Sequence, residues 1–182
     1  DLRLLLVGDG PRKSETVEYC ESLGISTIDL TINSYNPNAK ILFAGYQENP
    51  YPFYLGAKLF LMPSLWEGFP ISLLEAFTFG VPAIVADCSS GIREIFDVND
   101  EAIRPVQSAE FERTPYGHLM RTFENNNTGR AAIIWARSIK EILGNNDYYT
   151  SCSTAAKLKA ESYGVISISK IWEKEFDITC IN

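Results

Sequence analysis

The sequence predicts an α/β fold in which a parallel sheet carries helices on both faces. Three observations predict it. Apolar runs of strand length recur at residues 2–7, 40–44, 59–62 and 83–86. Each run is continuous rather than alternating, as strands covered on both sides read. Segments with helix start and stop residues lie between them, so strands and helices alternate as βαβ units do.

The elements follow in order. The run 2–7 is broken by Gly8-Asp9-Gly10-Pro11. Residues 14–23 have helical character, with Ser14 placed to cap the first turn and Gly24 to close the last. Residues 28–32 are ambiguous, and 33–38 form a polar turn. The second strand, 40–44, ends at Gly45, and 52–57 form a short helix. The third strand, 59–62, leads into the loop 63–69. Residues 70–79 then read as a helix with Pro70 in its first turn, a favoured place for proline, and Gly80 just past its end. A fourth strand at 83–86 precedes a helical turn at 91–96 and short strands at 102–106 and 116–120. After a polar loop at 122–129, helices are expected over 130–143, 147–162 and 167–176. Asn126-Asn127-Thr128 in that loop has the form of a glycosylation acceptor; with no sign of secretion it reads as chance.

The 182 residues suit about one domain, which buries roughly 70% of the surface an unfolded chain exposes. The segment starts abruptly on a strand, as a piece of a longer chain would. Apolar residues at 46% and charged residues at 21% are ordinary for a globular protein. No apolar run approaches the ~18 residues of a membrane-spanning helix. A net charge of −7 without a Lys/Arg cluster argues against nucleic acid and against contact with anionic membranes. Cys20, Cys88, Cys152 and Cys180 form no C-x-x-C pair, so reduced thiols in a cytoplasmic setting are expected rather than disulfides or zinc. His118 is the only histidine, which excludes sites built on two, and it reads as structural.

Ligands of parallel sheets bind at the carboxyl ends of the strands, in loops leading into helices. Those loops are 8–12, 45–49, 63–69 and 87–90. The strongest signal is Glu67-Gly68-Phe69-Pro70-Ile71-Ser72-Leu73-Leu74-Glu75-Ala76, where the third strand's loop meets a helix. A helix N-terminus has unpaired N–H groups and about half a positive charge, a cradle for phosphate. Gly68, Phe69, Ile71 and Ser72 have N–H groups to offer; Pro70 has none. Glu67 lies just before the helix and Glu75 about 7–8 Å along it. Both would repel a diphosphate, but a carboxylate accepts well from paired hydroxyls. One on a ribose diol and one on a sugar diol would fit a nucleotide-sugar.

These residues resemble the retaining glycosyltransferases of the GT-B fold, in particular family 4, the glycosyl transferases group 1. That family carries two glutamates separated by seven residues, as Glu67 and Glu75 are. Other matches run collinearly. Leu5-Leu6-Val7-Gly8-Asp9-Gly10-Pro11 resembles the family's strand and G-x-G-P loop, and Ile41-Leu42-Phe43-Ala44-Gly45 its strand ending in F-x-G. Ala57-Lys58-Leu59-Phe60-Leu61-Met62-Pro63-Ser64 resembles A-D-x-F-x-x-P-S, with Lys58 in place of the usual acid. Gly80-Val81-Pro82-Ala83-Ile84-Val85-Ala86, Ser90-Gly91-Ile92-Arg93-Glu94-Ile95 and Tyr116-Gly117 complete the series.

The resemblance implies a Rossmann-like parallel sheet with helices on both faces, the C-terminal half of a GT-B fold. The 182 residues would be a single nucleotide-sugar-binding domain lacking the N-terminal acceptor domain and its own first strand and helix. It implies that Glu67 is catalytic, by holding the donor sugar, and that Glu75 binds the ribose. Gly68, Phe69, Pro70, Ile71 and Ser72 would line the diphosphate, Tyr46 would lie beside the base, and Gly8 and Gly10 would belong to the donor site. Tyr46 as a plain surface aromatic stays open. Arg12 and Lys13 could approach a phosphate or simply be solvated, and Trp66 could pack or line the cleft. The loop 87–90 could shape the donor pocket or be a loop alone.

The dinucleotide fingerprint lacks its third glycine after Gly10, which excludes a nicotinamide or flavin dehydrogenase. No D-x-D, Walker loop or G-x-S-x-G is present, so no metal and no cofactor are expected. The expected activity is transfer of a hexosyl or N-acetylhexosaminyl group from a nucleoside diphosphate sugar, with a weak lean to uridine, to an acceptor hydroxyl with retention. Glycan or cell-surface polysaccharide synthesis is the expected setting. The acceptor, a glycan or lipid-linked sugar, would reach the site through the missing domain, at the inner membrane surface. The alternatives are a GT-B-fold sugar-nucleotide epimerase and a non-catalytic nucleotide-sugar-binding module.

Overall fold

A computed structural model describes residues 2–98, 110–122 and 128–179. The expected strand at 102–106, the Asn126-Asn127 pair and Cys180 lie outside the described residues. The chain divides into two compact units, Asp1–Pro52 and Phe53–Asn182.

The first unit holds β1 (Leu4–Val7), α1 (Lys13–Ser22), β2 (Thr27–Asp29) and β3 (Ile41–Gly45). Its sheet is parallel, in the order β1-β3-β2, with Leu4 and Thr27 both in register with Ile41. Only the middle strand is covered on both faces: Leu42, Phe43 and Ala44 are buried, as is Cys20 of α1. The expectation that the first strand is buried on both faces is corrected. β1 is an edge strand, and Leu4 and Val7 are 39% and 42% exposed. Of the ambiguous residues 28–32, Ile28 and Asp29 join Thr27 in β2 because β3 offers them a partner, and 30–32 form a turn that Leu30 N–H ties to Phe43 O at 2.9 Å. Ser14 does not cap α1. The helix starts a residue earlier, with Arg12 at the cap and no side-chain bond to it.

The helix α2 (Tyr51–Gly56) leads into the second unit. There follow β4 (Phe60–Met62), α3 (Ile71–Thr78), β5 (Ala83–Ala86), α4 (Ser90–Ile95), β6 (Phe111–Thr114), β7 (Gly117–Met120), α5 (Thr128–Gly144), α6 (Asn146–Ser162) and α7 (Val165–Thr179). The sheet order is β4-β5-β7-β6, parallel except for β6, which returns antiparallel to β7. The strand β6 has no counterpart in the sequence reading. Its apolar signal is diluted by Glu112 and Arg113, which point to opposite faces and are both exposed at this outer strand.

The side chains of β5 show why its run is continuous. Ala83 and Val85 face Leu73 and Phe77 of α3, Ile92 and Ile95 of α4, and Ala156 of α6. Ile84 and Ala86 face the other way, toward Trp135 and Ile142 of α5. Alternate residues on a strand point to opposite faces, so a strand between two helical layers must be apolar at every position. Full burial of a Leu, Ile, Val or Phe side chain contributes about 1.5–3 kcal/mol, and here it fixes α3 against the carboxyl end of the sheet.

Candidate functional site

The segment 63–70 runs from the end of β4 to α3, and both glutamates lie around the start of that helix. Pro70 sits one position earlier than expected, at the cap of α3 and not inside it, with an extended backbone (ψ 101°). Proline has no side-chain oxygen to bond the first-turn N–H groups, and no side-chain cap is made. The N–H groups of Ile71 and Ser72 therefore begin the helix uncapped, and Ile71 and Ser72 are exposed. A Cβ on Gly68 would meet nothing within 4 Å, so a ligand can come close to the backbone on that side.

Each carboxylate leans on a different neighbour. Glu75, half-buried in the second turn of α3, accepts a hydrogen bond from the Tyr54 hydroxyl at 3.2 Å. Glu67, half-buried before the helix, lies against Cys88 at the end of β5. Burial first, and then the Glu67 charge, push the Cys88 thiol up from its ordinary pKa.

The loop is held from two sides. The Ser89 hydroxyl donates to Gly68 O at 3.2 Å, and Ser89 also caps α4 by accepting from Ile92 N–H. The Phe69 ring packs on Tyr163 at 5.4 Å. Flanking Ser89 in the chain are the partners of a buried ion pair: Arg93 Nε donates to Asp87 Oδ1 at 2.8 Å, and its Nη2 to Oδ2 at 2.5 Å. The sequence reading missed Ser89 as a cap, though a serine just before a short helix is the signal that could have found it. Tyr54 had no sequence signal, and neither did the Asp87–Arg93 pair. Trp66 is 83% exposed, so it is available beside Glu67 and does not pack.

Gly8, Gly10 and Tyr46 belong to the first unit. Gly8 has a left-handed backbone (φ 128°), and its N–H donates to Gly45 O at 2.8 Å. This brings Gly8 and the residue before Tyr46 together at the carboxyl ends of β1 and β3. Gly10 N–H is taken by Asp9 Oδ1 at 2.8 Å. The Tyr46 side chain is 77% exposed. Arg12 pairs with Glu15 at 2.7 Å and Lys13 with Asp29 at 2.5 Å, so both cations have acidic partners within their own unit.

His118 is fully buried on β7, stacked between Phe111 and Tyr148, with Nδ1 2.7 Å from Ser138 Oγ. Burial pushes its pKa down to about 4. It is a neutral core histidine. Among the described residues, no group of His, Cys, Asp and Glu is placed to hold a metal ion, and no helix is long and apolar enough to cross a membrane. Cys20, Cys88 and Cys152 are free thiols.

The family model for glycosyl transferases group 1 matches residues 1–111, and the chain belongs to that family. It is 33% identical over 93 residues to an uncharacterized glycosyltransferase of Methanocaldococcus jannaschii, covering 51% of this chain and 20% of that protein. It is 30% identical over 125 residues to the lipopolysaccharide 1,6-galactosyltransferase of Salmonella typhimurium, covering 65% and 30%. The pneumococcal O-GlcNAc transferase GtfA, solved with UDP and GlcNAc, shares the fold with a TM-score of 0.70 at 18% identity, over 100% of this chain and 30% of that one. The fold is thus that of GT-B glycosyltransferases, and the chain spans a third or less of the length of these three proteins.

Proposed function

We propose that this chain is the donor-binding part of a retaining glycosyltransferase, which moves a hexosyl or N-acetylhexosaminyl group from a nucleoside diphosphate sugar to an acceptor hydroxyl. The carrying observation is the uncapped start of α3 with Glu67 before it and Glu75 one turn inside. The N–H groups there point where diphosphate charge gathers as the sugar leaves, and the helix dipole adds to their pull. Glu75 accepts from the ribose hydroxyls. Glu67 accepts from the donor sugar's hydroxyls and stabilises positive charge developing on its ring, without covalent attack. The departing diphosphate assists the incoming hydroxyl on the same face.

The family's relatives support a place in glycan or cell-surface polysaccharide synthesis, since one is named for lipopolysaccharide. A uridine donor is favoured by a neighbour of this fold solved with UDP. The acceptor, a glycan or lipid-linked sugar, approaches from residues outside this chain, at the inner face of the membrane. No observation favours the epimerase, which would need acid and base groups at the cleft, or the non-catalytic module.

The test is steady-state kinetics of the full-length enzyme with UDP-, GDP- and ADP-sugars, since this part alone should not turn over. Glu75→Gln should raise donor KM with kcat held. Glu67→Gln should lower kcat by about a hundredfold. Unchanged donor kinetics in both variants would overturn the assignment.

A further inference from the structure

We propose that Tyr54 is a positioning residue for the ribose-binding carboxylate, an inference that rests on the reading of Glu75 above. Tyr54 lies on α2, within the second unit, twenty-one positions before Glu75. Its hydroxyl is 3.2 Å from Glu75 Oε2 and 3.3 Å from the Ser72 carbonyl oxygen. A phenol has one proton to give, and an ionised carboxylate is the stronger acceptor.

The ring has little freedom to carry the hydroxyl elsewhere. It stacks on Phe79, just past α3, at 5.8 Å and 18°, and packs tilted on Phe60 of β4 at 6.1 Å and 55°. Three elements thus fix one oxygen atom, and that atom fixes Oε2 of Glu75. The second carboxylate oxygen, Oε1, has no hydrogen-bond partner among the described residues. A glutamate side chain free to rotate would lose conformational entropy each time a ribose bound. Tyr54 orders it beforehand and leaves one oxygen for the diol.

The readout is calorimetric titration of the protein with UDP, GDP and ADP, and with the 2′,3′-dideoxy form of whichever binds. The variants are Tyr54→Phe, Glu75→Gln and the double substitution. Tyr54→Phe keeps both ring contacts, so its melting temperature should stay close to wild type. Its Kd for the nucleotide should rise about tenfold, the scale of a hydrogen bond to a charged group. Its Kd for the dideoxy form should match that of wild type, a selectivity that a general packing defect would not produce. The double variant should bind no more weakly than Glu75→Gln.

Five results would overturn the proposal. Weakening by Glu75→Gln but not by Tyr54→Phe would remove Tyr54 and leave Glu75 in place. Equal weakening by Tyr54→Phe with and without Glu75 would show that the phenol acts on its own. Equal losses on the nucleotide and its dideoxy form would reduce Tyr54 to packing. No effect of Glu75→Gln, or no binding of any nucleotide by wild type, would remove the ribose reading itself.

Discussion

Gly91 touches the Gly68 carbonyl so closely that a Cβ at Gly91 would stand 2.1 Å from its oxygen. The start of α4 and the loop before α3 are therefore in backbone contact, and only glycine fits at position 91. Gly91→Ala should push the Gly68 loop away from Ser89, at about 1–3 kcal/mol of overpacking. Nucleotide affinity should fall with it. Urea denaturation and calorimetry on the same variant measure the two effects, and wild-type values in both would show that α4 does not hold the loop.

The Asp87–Arg93 pair spans the turn that holds Ser89 and Gly91, with both side chains buried. Removing Arg93 leaves the buried Asp87 carboxylate without its ion-pair partner. Arg93→Met should cost about 3–5 kcal/mol. The double variant Asp87→Leu with Arg93→Met should recover part of that loss. Chemical unfolding of the three proteins tests this, and a double variant as unstable as the single one would count against a charge-based cause.

His118 makes stability depend on pH. Its native pKa lies near 4, below the ordinary value of 6.5, because burial disfavours the charged ring. Glu141 on α5 opposes this, while Arg113 on β6 adds to it; Glu141 and Arg113 pair with each other. Between about pH 6.5 and 4 the unfolded chain takes up a proton that the native protein refuses. The stability contributed is complete above 6.5 and is lost as pH falls through that window, at no more than about 1.4 kcal/mol per pH unit. His118→Gln should flatten the dependence in melting experiments from pH 7 to 4. An unchanged slope would place its origin in other groups.

In the proposed mechanism the start of α3 meets the diphosphate charge, and no metal is expected to be needed for that. Sugar transfer should continue at the same initial rate after dialysis against EDTA. A loss of rate restored by Mg²⁺ or Mn²⁺ would put a cation in that role.

What the sequence determined by itself is the alternation of strands and helices, the strand-to-helix loops and the acid–helix–acid segment at Glu67–Glu75. These are local. A strand covered on both faces must be apolar throughout, as 83–86 is, and a helix start shows itself through Pro70 and the residues around it. Tertiary structure alone decided the rest. It made 2–7 an edge strand rather than a covered one, because coverage depends on which strand lies in the middle of the sheet. It turned 27–29 into a strand by supplying β3 as a partner, and it paired the polar β6 with β7. It also brought Tyr54 to Glu75, Ser89 and Gly91 to Gly68, and Arg93 to Asp87. Such contacts join residues distant in the chain, and a hydrogen bond between them leaves no periodic trace in the order of amino acids.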